Sequence, residues 1–112
     1  MAGSKGKAGG TPGSVRFGQR VPVEVHVEFR VDERVKGRGV IRNISISGAL
    51  LATTFELPMH TNLVLTFAIP GKDPATKYSL DARVVRLDPI GLGLEWRDMG
   101  CVDVIDLLEH AS

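Results

Sequence analysis

Residues 21–30 read VPVEVHVEFR, and the reading of this stretch decides the fold. Val23, Val25, Val27 and Phe29 alternate with Glu24, His26, Glu28 and Arg30 in a strict two-residue period. Successive side chains of a strand point to opposite faces, whereas a helix places its apolar residues three and four apart. The stretch is therefore a strand with one face in a core and the other in water, the pattern of an antiparallel sheet. Pro22 has no N–H to give to a ladder, but it stands at the strand's start, where that loss is tolerated.

Working outward, VDER (31–34) reads as a turn and a second strand follows from about Val35 to Arg42. NISISG (43–48) interrupts with small polar residues, and ALLAT (49–53) resumes as a third strand. ELPMHTN (56–62) is a connection. Leu63, Leu65, Phe67 and Ile69 give a fourth alternating strand, closed by the turn signal PGKDP (70–74). Tyr78, Leu80, Ala82 and Val84 begin a fifth, whose apolar phase slips at Val84–Val85, the mark of a bulge. After Asp88-Pro89, Ile90, Leu92, Leu94 and Trp96 make a sixth, with Gly91 and Gly93 on its opposite side. Val104, Leu107 and Leu108 recur at helical spacing, so 101–110 is predicted as a short terminal helix. No internal repeat is visible. Six short strands at near-regular spacing describe a small all-β barrel or sandwich, and closure into a barrel removes exposed edges.

At 112 residues, 43% of them apolar and 24% charged, the chain is long enough for one domain with its own core. Residues 1–14, MAGSKGKAGGTPGS, show no periodicity and are expected to be a flexible tail, leaving 15–112 as the folded domain. Their lysines have no apolar stretch behind them, so they do not read as a secretory signal, and no apolar run approaches the roughly 20 residues of a membrane helix. The single Cys101 precludes an internal disulfide and, with no metal-like histidine spacing, no metal site is expected. A cytoplasmic location follows as the expectation. The net charge of +1 divides unevenly: residues 1–20 carry +4 and residues 21–112 carry −3. An acidic body with few aromatic platforms argues against nucleic acid as a partner and for a localised anion site near the N-terminus. No nucleophile elbow, P-loop or paired acid and base is present, so catalysis is not expected.

Two places resist a purely structural account. Arg16 and Arg20 stand four apart immediately before the first strand, and Asn43-Ile44-Ser45-Ile46-Ser47-Gly48 lies between two apolar strands. An arginine pair before a strand is commonly a solvated charge cluster, and Asn-x-Ser in a turn is commonly a backbone cap. Together, in this order and inside an all-β pattern, they resemble the two-part signature of PilZ domains, RxxxR followed by D/NxSxxG. The Gly-Leu-Gly-Leu-Glu-Trp strand and short final helix are similar as well, and the resemblance covers roughly residues 15–110. It implies a six-stranded antiparallel β-barrel with a short C-terminal α-helix. It also implies a receptor for cyclic di-GMP, with Arg16, Arg20, Asn43, Ser45 and Gly48 as the ligand residues and no further cofactor. A guanidinium matches the paired acceptors on a guanine edge, pairs bidentately with phosphate and stacks on a base. Asn43 and Ser45 offer polar groups to base or phosphate, and Gly48 permits a conformation or approach that a Cβ would forbid. Asn43 stands where many relatives have Asp, and Val15 where several have a further arginine, a position tied in the family to binding one ligand or an intercalated pair. The implied mechanism is ordering of the loop around Arg16–Arg20 onto the barrel. The state then passes to a protein partner, in the family one of motility, pilus or envelope machinery. The alternative is an adaptor that binds no nucleotide and works through protein–protein contacts.

Overall fold

The computed structural model describes residues 19–98 and 101–111. Six strands follow one another: β1 (Val21–Val31), β2 (Val35–Ile44), β3 (Gly48–Ala52), β4 (Asn62–Phe67), β5 (Tyr78–Asp88) and β6 (Gly91–Trp96). They close into a barrel in the order β1-β2-β3-β6-β5-β4, every neighbouring pair antiparallel. One helix, α1 (Val102–Ala111), follows. The predicted class, an all-β six-stranded antiparallel barrel with a short C-terminal helix, is the fold observed.

The alternation read in the sequence sets the inside of the barrel. Val25, Val27 and Phe29 of β1 are buried, while Glu24, His26, Glu28 and Arg30 face solvent. Leu65, Ala82 and Leu94 bring β4, β5 and β6 into the same core. Phe67 stacks on Tyr78 with ring centroids 5.8 Å apart, and Phe29 meets Phe55 edge-on at 5.2 Å, both favourable aromatic geometries. Val104, Leu107 and Leu108 of α1 are buried, and the helix packs against β1 and β5. Asp103 fixes the start of the helix by accepting the Ser79 backbone N–H at 2.9 Å.

Two irregularities shape the barrel's outer wall. At Arg42 the register of β2 slips: Ile41 pairs with Leu51, and Asn43 with its neighbour Leu50. At Val85 the register of β5 slips likewise: Val84 pairs with Leu94, and Arg86 with Gly93. Each slip places two consecutive residues outside, Arg42 with Asn43 and Val85 with Arg86. The second is the bulge expected from the sequence. The first leaves no mark there, because Arg42 and Asn43 are both polar and carry no apolar phase.

Three details depart from expectation. Ile90 is not a core residue of β6; it sits at the hairpin tip, 52% exposed. The Asp88 carboxylate accepts the Ile90 N–H at 3.2 Å, closing a turn that delays the strand to Gly91. β4 ends at Phe67 although Ile69 beyond it remains buried. α1 runs over Val102–Ala111, one residue later at each end than the predicted 101–110.

Leu65 is fully enclosed at the barrel's centre. Leu65→Ala should lower the unfolding free energy by about 2–5 kcal/mol, read as a lower urea midpoint with an unchanged slope.

Candidate functional site

The link between β2 and β3 is a tight turn built around Ser45, whose side chain is fully buried. The Ser45 Oγ accepts the backbone N–H groups of Ser47 and Gly48, both at 3.2 Å, and lies 3.1 Å from the Ser47 hydroxyl. Its own N–H donates to the Gly48 carbonyl at 2.8 Å. Trp96 ties the turn to β6 twice: its indole N–H donates to the Ser45 carbonyl at 3.1 Å and its backbone N–H to the Ser47 carbonyl at 2.8 Å. Gly48 is required by close approach, because a Cβ there would fall 1.9 Å from the Leu94 carbonyl oxygen. Of the residues expected to meet a ligand, Ser45 and Gly48 thus shape the wall. The Ser45 hydroxyl faces the turn's own backbone and not solvent.

Asn43 lies on the outer face, half-buried, turned out by the slip at Arg42. Without that slip alternation from Ile41 would send it into the core. Arg20 arrives from the segment before β1, and its Nη1 donates to the Asn43 Oδ1 at 3.2 Å. The two halves of the motif, 23 residues apart, therefore touch. Partial burial lowers the Arg20 pKa from its ordinary value, and the nearby positive charge of Arg86 lowers it further. The guanidinium still keeps its charge at neutral pH. Arg16, with the expected tail, lies outside the described residues. Arg42, beside Asn43, is exposed.

Across the barrel wall, Asn43 pairs with Leu50, Leu50 with Gly93, and Gly93 with Arg86. Four strands thus share one outward row with a polar residue at each end and Leu50, nearly buried, beside Gly93 in the middle. At one end Arg20 leans on Asn43. At the other, Arg86 lies over Gly93, with its Nε and Cζ both 3.3 Å from where a glycine Cβ would stand. Asp88 holds the Arg86 guanidinium only loosely, at 3.8 Å. The row therefore carries a guanidinium at each end, donors of the kind that pair with an acceptor-rich anion. Sequence reasoning alone does not single out Arg86. A signal exists in the slip at Val84–Val85, which turns the next residue outward, but its alignment with Asn43 depends on pairing across three strand boundaries.

The chain is a small closed antiparallel barrel with an arginine-bearing segment laid against a polar turn. The sequence model of the PilZ domain matches residues 14–110, and the chain belongs to the PilZ domain family, a family of cyclic di-GMP receptor modules. Two solved structures share the fold. The PilZ domain of CeSA from a cellulose-synthesizing bacterium aligns with TM-score 0.57 and 19% identity over 83% of this chain and 90% of that one. The Bacillus subtilis inhibitor of motility (MotI/DgrA) aligns with TM-score 0.64 and 21% identity over 82% of this chain, which spans 47% of that protein. A comparison with curated proteins by sequence finds no match. PilZ domains are regulatory binding modules. No helix among the described residues is long and apolar enough to cross a membrane.

Ser45→Ala removes the acceptor of two backbone N–H groups inside the turn. The variant should lose about 1–3 kcal/mol of unfolding free energy, checked by thermal and urea denaturation.

Proposed function

We propose that this chain is a cyclic di-GMP receptor that relays the level of the messenger to a partner protein through its N-terminal RxxxR segment. The observation that supports this reading best is the 3.2 Å hydrogen bond from Arg20 to Asn43, which brings the arginine segment onto the polar turn. Arg16, Arg20 and Asn43 supply donors and an acceptor to guanine and phosphate, while Ser45 and Gly48 hold the turn in the shape the ligand meets. Ligand would draw the loop around Arg16–Arg20 fully onto the barrel and so change the surface that a partner sees. The partner is a cytoplasmic protein, of motility, pilus or envelope machinery by analogy with the family. The module performs no chemistry and needs no cofactor besides its ligand.

A second reading, a nucleotide-independent adaptor, draws on one specific observation: the motif's polar groups already satisfy one another, Arg20 with Asn43 and Ser45 with its own turn. Calorimetric titration of the full chain with cyclic di-GMP, with GTP and cyclic di-AMP as controls, separates the two. The receptor reading expects selective, saturable binding and a stoichiometry of one or two ligands. It also expects Arg20→Ala to lose at least ten-fold in affinity with an unchanged unfolding temperature. Absence of binding at high micromolar ligand would leave the adaptor.

A further inference from the structure

A closed barrel has two mouths, and in this one they differ. Helix α1 covers the mouth where β5 begins, burying Val104, Leu107 and Leu108 and tying Asp103 to the Ser79 N–H. At the opposite mouth, where β3 and β5 end, apolar side chains stay in water. Leu87 pairs across the ladder with Leu92, so both belong to the inward phase, yet Leu92 is buried and Leu87 is 59% exposed. Ile90 stands exposed at the adjoining hairpin tip. Phe55 packs edge-on against Phe29 of the core and keeps 38% of its surface exposed. Of the seven large hydrophobic residues exposed among the described residues, five lie in 55–59 and 85–90, so the exposure is concentrated and not scattered.

Phe55, Leu87 and Ile90 meet around a cleft of about 560 Å³ between the link after β3 and the β5–β6 hairpin. Its walls are fixed from within. Phe55 lies over Gly37, where a Cβ would come 2.6 Å from its ring, and Leu57 nearby is buried. The Thr53 hydroxyl accepts the Phe55 N–H at 3.2 Å and donates to the Arg38 carbonyl at 2.9 Å, which pins the link to β2. Walls held this way take an anchor side chain at little cost in ordering. The charges at the cleft choose its occupant. Glu56 and Asp88 are its only charged lining residues. Asp88 is engaged by the Ile90 N–H and loosely by Arg86, whereas Glu56 is exposed and has no ion-pair partner among the described residues. A second copy docked face to face would set these carboxylates against one another. Residues 1–14 carry Lys5 and Lys7 but no Leu, Ile, Val or aromatic side chain to fill the cleft.

We infer that this mouth of the barrel docks a segment of a partner protein that carries bulky apolar anchors beside lysine or arginine. The anchors enter the cleft between Phe55, Leu87 and Ile90, and the cations meet Glu56 and Asp88. The surface lies at the opposite end of β3 and β6 from the β2–β3 turn, so it is separate from the two-part motif. It rests on the protein contact that both readings of the function invoke, and on neither reading of the nucleotide.

The test is selection of a random dodecapeptide library on the full chain, with counter-selection on the double variant Leu87→Ser/Ile90→Ser. Both side chains are largely exposed, so the variant should keep the parent's unfolding temperature; Ile90→Ser alone replaces it if the pair does not. Recovered peptides should carry Leu, Ile or Phe next to Lys or Arg. A fluorescent copy of one should bind the parent saturably and lose roughly ten-fold or more in affinity with the double variant. Glu56→Lys should weaken it by about three-fold or more. If no peptide is enriched, or if enriched peptides bind the double variant as well as the parent, the docking surface is overturned. If their flanks are acidic or uncharged, or Glu56→Lys has no effect, the basic character of the partner is overturned. If sedimentation shows the parent self-associating through Leu87 and Ile90, the occupant is a second copy and the partner assignment falls. Cyclic di-GMP titration of the double variant should match the parent; if the parent itself binds none, the receptor reading falls and this surface stands on the peptide result alone.

Discussion

The candidate site depends on local breaks in the alternation that most of the barrel obeys, a third slip lying between Pro22 and Val25 of β1. A strand's side chains alternate strictly, so a polar residue two positions from a core residue points into the core. Asn43 follows Ile41 and Arg86 follows Val84 at that interval, and both Ile41 and Val84 are fully buried. One extra residue in each strand, Arg42 in β2 and Val85 in β5, turns Asn43 and Arg86 outward while the core residue before each keeps its place. The two bulges fall at the same level of the wall, so the residues they release stand in one row. Bulges cost ladder hydrogen bonds, and they persist where they aim a side chain.

The turn between β2 and β3 supplies rigidity on the same wall. Ser45 is the one buried polar residue among the described residues, and it is satisfied by the backbone it organises. Trp96 anchors that turn from β6 with its indole N–H and its backbone N–H together, so the loop cannot drift from the strand that also supplies Gly93. The polar turn is therefore part of the fold. Within NISISG the structure separates the residues: the Ser45 side chain is fully buried in the turn, Gly48 lies against the backbone of β6, and Asn43 is on the outer face.

Arg20 joins the two. Its bond to Asn43 connects the segment before β1 to the turned-out position in β2, next to the Pro22–Asn43 pair at the start of β1. Partial desolvation and the nearby positive charge of Arg86 both lower the pKa of Arg20.

Most of the barrel was legible because its strands are half-buried, and half-burial writes itself into the sequence as alternation. Val23 to Phe29, Leu63 to Phe67 and Leu92 to Trp96 needed no tertiary knowledge. The helix was legible from Val104, Leu107 and Leu108. Arg20 and Asn43 were legible as motif residues through the resemblance to the family's two-part signature. The turn at Ile90 and the bulge at Arg42 were not, because each is set by a local polar hydrogen bond or pairing slip that leaves no apolar phase to read. The sequence by itself determined which residues of the alternating strands and the helix face the core, Ile90 excepted, and which residues match the family's motif. Only the tertiary structure decided that Arg20 lies on Asn43 and that Arg86 and Gly93 share their row, because those neighbours are joined by strand register, a property of pairing between segments and not of any segment alone.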